Sequence, residues 1–180
     1  MDKWRTLSET TVFEASPYLR VVRQRVALPD GREIDDFYQV VLREFALVVP
    51  VTDDGGILVV RQYKHGPGRV SVTFPAGFVE PGEPAIDAAA RELREETGYG
   101  VDTITHLGSF TDNGNQRGCH GNYFVATGCR PVTQAASGDL EEMSIEVLRP
   151  SELDALMCDG GFAVTHMVAA WGLARRHIKD

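Results

Sequence analysis

Cysteine is scarce. The three residues present, Cys119, Cys129 and Cys158, are odd in number and widely spaced. They form neither a disulfide framework nor the paired spacing of a zinc site, so inert thiols are expected. No apolar run approaches the roughly 20 residues that a membrane-spanning helix needs. A basic-then-apolar leader pattern is missing too, since Asp2, Lys3 and Arg5 precede polar residues. The expectation is a soluble, cytoplasmic protein with no membrane partner. Positive charge is in deficit: 18 Lys and Arg stand against 26 Asp and Glu, for a net charge of −8. A general nucleic-acid binder needs a basic surface for its phosphate contacts, so no nucleic-acid partner is expected. A small anionic substrate stays compatible with this charge if metal ions supply the compensation. Internal repeats and low-complexity segments are also lacking. What remains is a chain of 180 residues, 43% hydrophobic, enough for one cored domain with or without an appendage.

One stretch organises the rest: GFVEPGEPAIDAAARELREETGY, from Gly77 to Tyr99. Pro84 suits a first helical position, where its missing N–H is no loss. Gly98 suits the left-handed position just past a helix end. At about 100° per residue, Glu92, Glu95 and Glu96 fall within one arc of the predicted helix. Ile86, Ala90, Leu93 and Thr97 form a neighbouring stripe expected to pack on a sheet. Three glutamates on one edge repel each other, and a hard divalent cation such as Mg²⁺ or Mn²⁺ removes that repulsion. The plain alternative is a solvated helix with Glu/Arg pairs at i,i+3 and i,i+4.

Around this stretch the chain reads mostly as strands. Tyr18–Leu28 and Ile34–Leu42 flank Pro29-Asp30-Gly31, a turn signal in which proline fixes one corner and glycine takes the positive φ. The pair reads as a hairpin, which is only marginally stable alone and so must pack on something. Residues 1–16 are mixed, with Trp4 and Phe13 as isolated anchors. Phe45–Val51 is an apolar run that reads as a buried strand, with Pro50 marking an edge or terminus. Ile57–Tyr63 and Val70–Phe74 are further strands, and so are Val101–Phe110, Asn122–Thr127 and Ser144–Leu148. Thr111–Gly121 and Pro131–Asp139 read as polar loops. Ser151 is a plausible N-cap for a short helix. Phe162–Ile178 reads as a terminal helix whose stripe (Val164, Met167, Val168, Trp171, Ala174, Ile178) is core packing. Strands, one helix, strands and two helices indicate an α/β or α+β sandwich with a mixed sheet.

The motif itself is specific. Gly77, five residues, Glu83, seven residues, Arg91-Glu92-Leu93, one residue, Glu95-Glu96, one residue and Gly98 resembles the Nudix box. Tyr99 stands where that family more often has an aliphatic residue, at a packing position. The resemblance implies an α/β/α sandwich in which the box forms a loop-helix-loop. The hairpin, Val-Val-Arg-Gln-Tyr-Lys and the Pro-Ala-Gly entrance to the box resemble the ADP-ribose pyrophosphatase and nucleoside diphosphate sugar hydrolase group. That implies residues 1–44 as a hairpin segment used for a homodimer, with the partner helping to line the substrate site, and residues 45–180 as the hydrolase domain. ADP-ribose-specific members tend to carry a proline about fifteen or sixteen residues after the box, a weak motif. Asn113 and Gly114 stand there instead.

The implied reaction is metal-dependent hydrolysis of the pyrophosphate of a nucleoside diphosphate linked to X, ADP-ribose or another nucleotide sugar, giving a nucleoside monophosphate and a sugar phosphate. Nucleoside triphosphates or dinucleoside polyphosphates are alternative substrates, and a catalytically silent nucleotide-binding regulator is the alternative class. Glu92, Glu95, Glu96 and the Ala76 carbonyl are the expected cation ligands, with Glu83 and Arg91 holding them in place. The family's general base often lies outside the box, for which Glu141 and Glu142 are the candidates; a solvated acidic turn is their plain reading. Arg61, Lys64 and Arg117 are candidates for substrate phosphates, though exposed charges are common. Phe78 and Tyr63 offer faces for a nucleobase.

Overall fold

In the computed structural model, residues 1–136, 138 and 142–178 are described. They form eleven strands and three α-helices: β1 (Arg5–Ala15), β2 (Leu19–Ala27), β3 (Glu33–Leu42), β4 (Phe45–Thr52), β5 (Ile57–Lys64), β6 (Arg69–Thr73), β7 (Ala76–Phe78), α1 (Ala85–Thr97), β8 (Tyr99–Gly100), β9 (Thr103–Asn113), β10 (Arg117–Pro131), β11 (Met143–Leu148), α2 (Pro150–Cys158) and α3 (Thr165–Ala174), followed by a 3₁₀ turn at Arg175–His177. Contacts divide the chain into two compact units, residues 1–44 with 109–121 and residues 45–108 with 122–180.

The first unit is an antiparallel meander in which β2 pairs with both β1 and β3. The turn at Pro29-Asp30-Gly31 forms as its residues dictate. Gly31 has φ 86°, and the Asp30 carboxylate accepts the Arg32 N–H at 3.1 Å. Along β2, Val22, Gln24 and Val26 are buried while Arg23 and Arg25 are exposed, the period-2 pattern of a half-buried strand. β1 was not expected. Its residues are exposed along almost the whole strand, so it lacks the alternation that marks a strand in sequence. The polar stretch Thr111–Gly121 is not a loop either. It is the end of β9 and the start of β10, joined by a short turn. Asn113 Oδ1 accepts the N–H groups of Asn115 and Gln116 at 2.9 and 2.8 Å, so the polar residues make the turn themselves. Arg117 and Gly118 of β10 run parallel to Val40 and Val41 of β3.

The second unit is built on β4, flanked by β10 and β5, with β11 beyond β5. Its ladders to β5 and β7, and those of β5 to β6 and β11, are antiparallel. The parallel β3–β10 pairing lies in the first unit, so the chain carries both parallel and antiparallel ladders. Phe45 through Pro50 are all buried, as expected of an apolar strand covered on both faces. Ala46 and Val48 pack with Ala88, Ala89 and Leu93 of α1. Phe45, on the other face by strand alternation, packs against His166 of α3, with ring centroids 4.9 Å apart and the rings tilted by 50°. The sheet thus lies between α1 and α3, the α/β/α sandwich. Pro50 costs no ladder bond. Val48 N–H goes to Pro75 and Thr52 N–H to Gly56, at 3.0 and 2.9 Å, so the missing N–H of Pro50 falls between the β7 and β5 pairings, two residues from the strand end.

Several boundaries differ from expectation. Pro84 is the extended N-cap of α1, one residue before the helix, while Gly98 caps the other end with φ 76°. The packed stripe of α1 is Ala88, Ala89, Leu93, Glu96 and Thr97. Ile86 is 42% exposed. The helix approaches β4 through its small alanines, which turns the stripe away from Ile86 and brings Glu96 onto the buried face. Ala136 N–H is tied to the Glu95 carbonyl at 2.8 Å, so part of the expected 131–139 loop is fastened to the end of α1. Arg149, not Ser151, caps α2, because Glu152 reaches back to the Arg149 N–H at 2.7 Å. Among the described residues, no helix is long and apolar enough to cross a membrane. Cys119, Cys129 and Cys158 are free.

Candidate active site

Arg91 organises the box. Its Nε and Nη2 donate to the two oxygens of Glu83 at 2.9 and 3.0 Å. Nη1 donates to Glu92 at 2.6 Å and to Glu95 at 3.2 Å, and Nη2 also reaches the Phe78 carbonyl at 3.0 Å. One planar fork therefore joins the loop before α1 to two carboxylates on the helix, which suits the fixed five-donor geometry of a guanidinium. The close packing extends to the backbone. A Cβ at Gly77 would stand 2.0 Å from a Glu92 carboxylate oxygen, so only glycine lets that carboxylate lie against the loop.

This pairing holds the Glu83 carboxyl far below its ordinary 4.5, at about 2, chiefly through Arg91 and then through the Glu80 N–H. A group depressed in the folded state stabilises the fold fully above its unfolded pKa, and that stability is lost as pH falls through the folded value. We expect melting temperature to drop between pH 4.5 and about pH 2, and the drop to be smaller in Glu83→Gln. Equal slopes for the two proteins in a pH series of thermal melts would refute this assignment.

Glu96 is only 7% exposed, and its carboxylate accepts the Ala76 N–H at 3.4 Å. Buried carboxylates are tolerated where they are paired or ligate a metal. Glu80, Glu92, Glu95 and Glu96 all line one cavity of about 420 Å³, entered beside Gly77. Other walls come from Phe45 and Leu47 of β4, Lys64 of β5, and His166 and Met167 of α3. The two helix layers meet here because β7 is only three residues long, so side chains of α1 reach past it. Met167 locks α3 in register: its Sδ accepts the Phe74 N–H at 3.2 Å, two residues before Ala76.

The donor set suits a hard divalent cation. It offers carboxylate oxygens, one of them buried, on a loop that a side chain would fill. Among the described residues no three carboxylate, imidazole or thiol groups already converge as a closed cage; the Arg91 Nη1 instead bridges Glu92 and Glu95. Mg²⁺ is typically held by one or two carboxylates, its own waters and substrate phosphates, and an open edge of this kind provides that.

Of the residues singled out in the sequence, Glu92, Glu95, Glu96, Ala76, Lys64 and Phe78 line the cavity. Arg91 braces it. Arg61 and Tyr63 do not line it. Strand alternation puts them on the face of β5 away from Lys64, and Arg61 forms a two-point pair with Glu146 of β11 at 2.7 and 3.0 Å. Arg117 belongs to the first unit. Glu141 lies outside the described residues, and Glu142 is exposed just before β11. Burial first, then Asp112, pushes the Cys119 thiol up to about 11. Sequence reasoning missed Glu80, Phe45 and His166. Phe45 and His166 sat in stretches read as core, and the only sign of His166 was a histidine in an otherwise apolar helical run.

Residues 41–163 match the NUDIX domain, and residues 4–40 match the nucleoside diphosphate sugar hydrolase N-terminal domain. The chain is 30% identical over 138 residues to ADP compounds hydrolase NudE of Escherichia coli (strain K12), covering 76% of this chain and 73% of that one. It is 32% identical over 141 residues to ADP-sugar pyrophosphatase of Mus musculus, covering 67% and 60%. It is 33% identical over 107 residues to ADP-ribose pyrophosphatase of Bacillus subtilis (strain 168), covering 59% and 56%. The last two matches thus span under two thirds of the relatives' own length. A crystal structure of an ADP compounds hydrolase superposes with a TM-score of 0.82 at 23% identity, covering 98% of this chain and 95% of that one, and so shares the fold.

Proposed function

This chain belongs to the Nudix hydrolase family, and from that premise we propose that it hydrolyses the pyrophosphate of ADP-ribose or a related ADP-linked sugar to AMP and a sugar phosphate. The observation that carries this reading is the cavity in which Glu92, Glu95 and the buried Glu96 meet Lys64 and an aromatic wall. Hydrolases of this family need a divalent cation. We take it to be Mg²⁺; Glu92, Glu95, Glu96 and the Ala76 carbonyl would hold it, and when bound it would supply charge neutralisation for the pyrophosphate and a lowered pKa for water. Arg91 fixes the carboxylates so that little reorganisation is needed when substrate arrives. Lys64 supplies a positive charge for a phosphate, and Phe78, 43% exposed, offers a ring face to the base. The proton of the attacking water passes to a carboxylate. Glu80 already lines the cavity, and Glu141 and Glu142 are the candidates from the segment before β11.

The test is turnover of a panel with Mg²⁺: ADP-ribose, ADP-glucose, UDP-glucose, GDP-mannose, NADH, a diadenosine polyphosphate and nucleoside triphosphates. Preferential cleavage of an ADP-linked sugar to AMP supports the reading. Activity confined to triphosphates would overturn the substrate class, and tight binding without turnover would mean a regulator.

Residues 1–44 we take as the dimerisation segment. β1 is an edge strand of 11 residues, and its Val12 and Phe13 are 49% and 55% exposed. A long exposed edge with apolar side chains favours pairing with another strand, and a second copy supplies one. Light scattering after size exclusion should return twice the 19.8 kDa of one chain, and Phe13→Glu should shift the population to single chains. A monomer across micromolar concentrations would refute the assignment.

A further inference from the structure

The cavity carries an electrostatic problem that the box does not solve alone. Four of its lining side chains are carboxylates, and a pyrophosphate entering among them meets like charge. Cations bound to the carboxylates reverse this on the α1 side only. Donors for the remaining phosphate oxygens must come from the other walls. Among the described lining residues, only Lys64 and His166 carry side-chain N–H groups. Lys64 is a flexible point charge on a long stem. His166 is different, because its ring is held on two sides. Its Nδ1 lies 3.5 Å from the hydroxyl of Tyr123, a residue only 4% exposed, and its ring packs against that of Phe45 at a 50° tilt, with centroids 4.9 Å apart. The next residue, Met167, is fastened to the Phe74 backbone at 3.2 Å. The imidazole is therefore preorganised from β10, β4 and α3 together, and a held donor loses less conformational entropy on binding than a free one.

We propose that His166 binds the substrate, donating a hydrogen bond to a phosphate oxygen of the diphosphate from the α3 side of the cavity, with Tyr123 as its positioning residue. The inference rests on the diphosphate-sugar reading above and adds to it a site residue outside the box. It gives α3 a functional role besides packing: the helix places His166 on the substrate while its neighbour Met167 sets the segment that leads to Ala76.

The test is equilibrium binding of the α,β-methylene analogue of ADP-ribose with Mg²⁺, by calorimetry, beside steady-state kinetics on ADP-ribose. His166→Ala should weaken analogue binding and raise KM by about tenfold or more, the size of a hydrogen bond to a charged acceptor. His166→Gln, which keeps an N–H donor, should recover part of this. Tyr123→Phe should produce a smaller loss of about two- to threefold through a less firmly held ring. Unchanged affinity and KM in His166→Ala would overturn the proposal while leaving the reaction class standing. Equal losses in the Ala and Gln variants, accompanied by a lowered melting temperature, would mean a packing role and also overturn it. A wild-type protein that neither binds the analogue nor cleaves any diphosphate sugar would overturn the proposed function itself.

Discussion

Replacing Glu96 by glutamine is expected to lower kcat on ADP-ribose by about 10²–10³-fold, the usual cost of removing one preorganised electrostatic group from a reaction centre. Glutamine has the same shape, and its amide oxygen can still accept the Ala76 N–H that Glu96 takes at 3.4 Å. Only the negative charge is lost. Because Glu96 is 7% exposed, that charge sits where water screens it poorly, and it contributes most to holding a cation. The same burial makes the unloaded carboxylate costly to keep. Glu96→Gln should therefore melt no lower than wild type without metal, and should gain less than wild type when Mg²⁺ is added, since a ligand stabilises only the state that binds it. Melting curves with and without Mg²⁺, run beside turnover, check both halves. Turnover within a few-fold of wild type would remove Glu96 from the cation site.

Arg91→Met should harm both stability and activity. The substitution keeps a long side chain and deletes the fork that joins Glu83, Glu92, Glu95 and the Phe78 carbonyl. The guanidinium and the carboxylates of Glu83 and Glu92 are only 25%, 18% and 15% exposed, so the carboxylates left behind are poorly hydrated and repel one another. We expect a loss of about 2–3 kcal/mol, below the 3–5 of a fully buried broken pair, or a fall in melting temperature of about 5–10 °C for a chain of this size. Groups that orient metal ligands typically contribute 10–100-fold to activity, and a kcat reduction in that range is expected. Arg91→Lys should restore little, because an ammonium cannot reach three carboxylates in one plane. A stable, fully active Arg91→Met protein would mean that the carboxylates keep their places without the fork.

Much of the fold could be read from local pattern. The apolar run at Phe45 was legible because a strand covered on both faces needs no polar alternation, and the turn at Gly31 because few residues accept its positive φ. β1 was not legible: an edge strand exposed along its length carries no period. The stripe of α1 was misread because its period allows Ile86 or the alanines to face the sheet, and only the close approach to β4 chooses the alanines. In sequence Arg61 reads as the first choice for a substrate phosphate, ahead of Lys64, yet only Lys64 lines the cavity. Their separation follows from the register of β5, which pairs Arg61 with Ser144 and places it beside Glu146.

The carboxylate edge was settled by sequence alone. Glu92, Glu95 and Glu96 share an arc because helix geometry is local, and Gly98 ends it at a positive φ that disfavours any side chain. That spacing carried the resemblance to the Nudix family, and the resemblance in turn implied the reaction class. Tertiary structure decided the rest of the site. That Glu96 is buried, that Arg91 closes on Glu83, and that His166 and Met167 come to a cavity also lined by Phe45 and Ala76 depend on the packing of residues as far apart in the chain as Phe45 and Met167. No periodicity encodes such meetings. They arise when two helices pack on opposite faces of β4 and the short β7 leaves a gap where both layers reach the same space.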